Sequence, residues 1–123
     1  MTIEQCYEKL GGSFAQVCRR LPGRGFVERF FVRYLEDDSA QLLDAAVKAG
    51  DAGEAMRLAL ALKGLAGNLG FGHLEQAVTR LVEQLHDSCG VLTAEAAAQA
   101  ETVRRCHRET TEILQMYLIE RRI

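Results

Sequence analysis

Apolar residues recur every three or four positions along most of this chain and almost nowhere at alternate positions, so the pattern predicts helices throughout. Thr2-Ile3-Glu4-Gln5 and Ser13-Phe14-Ala15-Gln16 each set a hydroxyl three residues before a glutamine, the signature of a boxed helix start. They predict two short helices, 2–10 and 14–20, parted by Gly11-Gly12 and closed by Leu21-Pro22-Gly23. Neither is long enough to stand alone, so both must pack on something larger. From Gly25 to Asp37, a third stripe carries Phe26, Val27, Phe30, Phe31, Tyr34 and Leu35, with four of the eight aromatic residues of the chain. Val32 falls off that stripe, between Arg29 and Arg33. Ser39 is expected to cap the next helix, which runs through Leu42, Leu43, Ala46 and Val47 to Gly50.

Asp51 followed by Glu54 marks another capped start, and the helix it opens extends to about Leu69. At about 100° per residue, Ala55, Leu58, Ala59, Leu62, Leu65, Ala66 and Leu69 share one face. Leu60, Gly64 and Gly67 point nearly the opposite way, with Arg57 beside them and Lys63 on the flank. Gly70-Phe71-Gly72 makes a tight link to a helix over 73–87 with Leu74, Ala77, Val78, Leu81 and Leu85 on its stripe. So short a link makes the two helices antiparallel neighbours. Thr93 caps the last helix, 94–120, whose stripe is Ala96, Ala100, Val103, His107, Thr110, Leu114 and Tyr117.

These elements predict one all-α domain over residues 1–123. Its expected form is an antiparallel four-helix bundle of segments 24–50, 51–70, 72–88 and 93–120, with the short helices of 1–23 packed over it. Composition changes this picture little. A net charge of −2 with no Lys/Arg tract argues against a nucleic-acid binder. No apolar run approaches the roughly 18 residues of a membrane span, and the first residues lack a signal peptide's basic start and apolar core. The expectation is therefore a cytoplasmic protein with no membrane partner. Cys6, Cys18, Cys89 and Cys106 are widely spaced and form no C-x-x-C pair, so they read as reduced thiols rather than bridges or metal ligands. No metal and no cofactor is expected.

The position that needs explaining is Leu60. Gly64 and Gly67 inside a helix cost about 1 kcal/mol each relative to alanine, which is reasonable where another macromolecule comes close. The run Ala59-Leu60-Ala61-Leu62-Lys63-Gly64, followed by Ala66-Gly67-Asn68-Leu69-Gly70, resembles the core motif of histidine-containing phosphotransfer (HPt) domains, Ala-His-x-Leu-Lys-Gly with small residues and Leu-Gly after it. The resemblance extends from the Phe30–Leu35 helix to the Leu74–Leu85 helix. It implies a lysine, Lys63, that neutralises a phosphoryl group and a glycine, Gly64, that admits a receiver domain. At its centre the match fails, because Leu60 stands where the family has its phosphoaccepting histidine and offers no nucleophilic nitrogen. His73, His86 and His107 all lack a companion lysine and glycine, so no catalytic residue is expected and the chain is not read as an enzyme.

What the resemblance implies is a pseudo-HPt protein of two-component signalling. It would bind a response-regulator receiver domain or a hybrid kinase without carrying phosphate. The expected partner-binding residues are Leu60, Lys63, Gly64, Gly67, Arg57 and Val32, with Arg29 and Arg33 at the rim. Two alternatives stay open at this point. One is a non-signalling helical bundle that self-associates as a homodimer through the Leu60/Gly64/Gly67 face. The other is a substituted form of a true phosphotransfer protein, since histidine and leucine codons can differ by one base.

Overall fold

The structure, a computed structural model, describes residues 1–122. Those residues form seven helical segments and no strand: α1 (Ile3–Leu10), α2 (Phe14–Val17), α3 (Arg24–Glu36), α4 (Ser39–Lys48), α5 (Ala52–Leu69), α6 (Gly72–Asp87) and α7 (Ala94–Arg121). The fold is all-α. Thr2, Asp51 and Thr93 cap their helices as expected, each side-chain oxygen accepting the N–H three residues on, and Thr2 with Gln5 completes a reciprocal box. Two boundaries differ from the sequence reading. The second short helix is a single turn ending at Val17, followed by turns through Arg20. Asp38, not Ser39, holds the cap of α4, because the Asp37 carboxylate already accepts the Ser39 N–H at 2.8 Å and draws that residue into the helix. Segment 24–50 holds two helices parted at Asp37-Asp38, where the sequence reading divided them.

Packing follows chain order among the last four helices. α4 lies against α5, α5 against α6, α6 against α7, and α7 returns to α4. The fully buried side chains of α5 are Ala55, Ala59, Leu62 and Ala66 with Leu58 and Leu69, the stripe predicted by periodicity except that Leu65 is only half-buried. α1 and α3 both pack on α7, and their aromatic residues gather at one end of the molecule. Phe31 meets Tyr7, Phe71 and Tyr117 at ring separations of 5.8–6.0 Å, and Tyr34 meets Phe71 at 5.1 Å. Phe71, placed by sequence in a link, is thus a fully buried core residue. Phe26 and Phe30, placed by sequence on the core stripe, are only partly buried, because a buried carboxylate, Glu28, takes part of the inward face of α3.

Glu28 is satisfied from α7. Tyr117 Oη donates to its Oε2 at 2.6 Å and Arg121 Nε at 2.8 Å. Burial disfavours its charge, but the hydrogen bonds from Arg121 and Tyr117 and the positive charges of Arg121 and Arg24 outweigh that and hold its pKa below the ordinary carboxylate value. Such a pair is costly to break because the other partner is left uncompensated.

The N-terminal segment is joined to the rest by glycine. Gly11 and Gly70 end α1 and α5 in left-handed conformations, φ 77° and 75°. The two helix ends lie directly on each other. A Cβ on Gly12 would stand 2.0 Å from the Gly70 carbonyl oxygen, and one on Gly72 would stand 2.0 Å from that of Gly11. No side chain fits between two backbones so close, and neither contact can be relieved by rotating a flexible side chain.

Two predictions follow from this packing. Gly12→Ala should destabilise the protein by about 2 kcal/mol or more in urea unfolding, since backbone must move to admit one methyl. Stability should also fall on acidification. Glu28 binds fewer protons folded than unfolded, so its contribution is present above the unfolded carboxylate value near 4.5 and is lost as pH falls through the lower folded value. Glu28→Gln should remove that part of the acid dependence in thermal melts between about pH 3 and 6.

Candidate functional site

The outer side of α5 carries a shallow depression lined by Leu60, Lys63, Gly64, Gly67 and Asn68, closed at its far end by Arg20 and by Glu75 of α6. Leu60 is 50% exposed at mid-helix, among core neighbours Leu58, Ala59 and Leu62 that are nearly inaccessible. The bundle does not need it. Gly64 is open, for a Cβ there would meet nothing within 4 Å. Gly67 is not: a Cβ there would stand 2.5 Å from Glu75 Oε2. The sequence reading assigned both glycines to the approach of another macromolecule. The structure leaves Gly64 uncovered and gives the surface of Gly67 to the Glu75 side chain.

Arg20 went unnoticed in the sequence. Its Nη2 donates to the carbonyls of Gly67 and Asn68, both at 3.1 Å, placing a cation at the negative end of α5. Tyr7 Oη donates to Leu69 O at 2.7 Å, and Phe71 N–H to Ala66 O at 2.9 Å. The last four carbonyls of α5, which no helix can satisfy internally, are therefore all engaged. Nothing in the sequence pairs Tyr7 or Arg20 with carbonyls some fifty to sixty positions away.

Of the remaining candidates, Arg57 lies on the same helix outside the depression, with its guanidinium on Glu54, its partner three residues back. The pair is solvent-exposed, so it adds little to stability. Val32 is half-buried against the core and lines a separate depression on α3 with Arg29 and Arg33. Among the described residues Lys63 makes no ion pair.

None of the histidines reaches Leu60. His73 is exposed and lies over Gly11, and His86 is exposed in the last turn of α6. His107 is part-buried with Nδ1 2.6 Å from Tyr34 Oη and its ring stacked on that tyrosine. Burial holds its pKa below the usual imidazole value, against the attraction of Asp37. The four cysteines are free, and burial pushes the Cys6 thiol up to about 12, which makes it inert. Among the described residues no cluster of side chains could hold a metal ion, and no helix is long and apolar enough to cross a membrane. Comparisons with models of known families, with curated proteins and with solved structures find no match.

The two glycines should respond differently to alanine. Gly64→Ala should stabilise the fold by about 1 kcal/mol in denaturant unfolding, having space and a helical backbone. Gly67→Ala should gain less than Gly64→Ala, because the Glu75 carboxylate must first swing aside.

Proposed function

We propose that this chain is a pseudo-HPt module that docks receiver domains of two-component systems and carries no phosphate. In this reading α4, α5, α6 and α7 are the antiparallel four-helix bundle of that family, with α1–α3 packed on one end. The cyclic order of neighbours supports that arrangement, and the short α5–α6 link supports its antiparallel sense. The observation that carries the functional reading is Leu60. It is half-exposed at the motif's imidazole position, with Lys63 on one side and the open surface of Gly64 one turn on. An aliphatic side chain there can be buried by a partner at no cost in desolvated polar groups, and Gly64 lets a second backbone come close. Lys63 supplies a mobile cation for an acidic partner surface.

The chain would act as a competitor or an adaptor, holding a receiver or the receiver of a hybrid kinase away from a phosphorylating partner. Receiver domains from the same source, titrated by calorimetry, should include at least one that binds, and Leu60→Asp should weaken it about tenfold or more by placing a charge in the buried contact. Absence of binding to every receiver at high micromolar concentration would sink the proposal. If Leu60→Asp instead converts a dimer to a monomer in sedimentation, the face belongs to self-association. Leu60→His restores a nucleophile. Its imidazole nitrogen would attack the phosphorus of a receiver's aspartyl phosphate, the P–O bond would break, aspartate would leave as carboxylate and the ring proton would pass to water. A well-folded Leu60→His variant that takes no label from phosphorylated receivers would count against kept docking.

A further inference from the structure

We propose that the outer face of α3 is a second docking surface, separate from the Leu60 depression, for an acidic amphipathic helix of another protein. The net charge of the chain conceals a local excess. Between residues 19 and 35 stand Arg19, Arg20, Arg24, Arg29 and Arg33, all exposed, against a single acid, Glu28. Glu28 does not neutralise them, because its carboxylate is turned inward and held by Tyr117 and Arg121. Among the described residues Arg24, Arg29 and Arg33 make no salt bridge.

Two of these cations are pre-arranged. Arg29 lies over the Phe26 ring at 5.4 Å and Arg33 over the Phe30 ring at 5.5 Å, while the two rings pack together at 5.1 Å. A guanidinium held over a ring and bound to no acid keeps its N–H groups free to take a carboxylate in a two-pronged contact. Arg29 and Arg33 are one turn apart, about 6 Å along the axis, the spacing of carboxylates at i and i+4 on a facing helix. Between and beside them lie the part-buried rings and Val32, around a groove left open at Gly25. The occupant that fits has acids one turn apart and apolar side chains between them. Glu36 lines the same groove at its C-terminal end, with Asp37 and Asp38 following it, so a nucleic acid or an anionic membrane spreading over the patch would be repelled there, whereas two carboxylates one turn apart meet Arg29 and Arg33 alone.

The test uses the full chain and a labelled synthetic helical peptide with glutamates at i and i+4 and leucines at i+3 and i+7, read by fluorescence anisotropy. Binding is expected at micromolar to submillimolar peptide, weakening several-fold between about 50 and 500 mM salt. Arg29→Glu/Arg33→Glu should reduce affinity about tenfold or more, and the milder Arg29→Gln/Arg33→Gln by less. Arg80→Glu/Arg105→Glu, an equal charge change on α6 and α7, should leave affinity within about twofold. Circular dichroism should show unchanged helicity for each variant. No binding at about 1 mM peptide, or an equal loss in the α6/α7 control, would overturn the proposal. So would tighter binding to duplex DNA or to phosphatidylserine vesicles than to the peptide. Because the probe is a peptide and the variants lie on α3, none of these outcomes depends on whether receivers bind at Leu60.

Discussion

The structure depends on how the C-terminal end of α5 is closed. A helix leaves its last carbonyls without internal partners, and here those of Ala66, Gly67, Asn68 and Leu69 are taken by Phe71, Arg20 and Tyr7, with Gly70 turning the chain. Two of those partners come from the first twenty residues. Their reach is possible only because Gly11-Gly12 lies backbone to backbone on Gly70-Phe71-Gly72. The short N-terminal helices are thus part of the support of α5 rather than a cover laid over it. They hold one end of the helix on which Leu60, Lys63 and Gly64 stand.

That support separates two roles that the sequence merges. Gly64 and Gly67 look equivalent on a helical wheel, one turn apart and both off the core stripe. In space one is bare and the other lies under Glu75. The uncovered face is therefore centred on Leu60, Lys63 and Gly64, with Arg20 and Glu75 beside it. Its character is an aliphatic centre with separated charges at the edge.

Charge is distributed by burial in the same way. Glu28 would cancel part of the positive character of α3 if it were on the surface. Held inside by Tyr117 and Arg121, it leaves Arg29 and Arg33 unopposed on their rings. The cost of burying the carboxylate is offset by the two hydrogen bonds on Oε2 and the charge of Arg121, so the same contacts that let α3 pack on α7 also set the potential on its outer side.

Helix positions, most caps and the inward face of α5 were legible from the chain, because capping and 3.6-residue periodicity act over a few neighbouring residues. Leu60 stood out for the same reason, as an apolar residue out of phase with its own helix. The shift of the α4 cap to Asp38, the inward turn of Glu28 and the burial of Phe71 were not legible, since a competing local hydrogen bond and distant partners decided them. Nor could the sequence pair Tyr7 and Arg20 with the end of α5, or set Glu75 on Gly67. Those contacts join residues far apart in the chain, and only the packed backbone brings their atoms within hydrogen-bonding range.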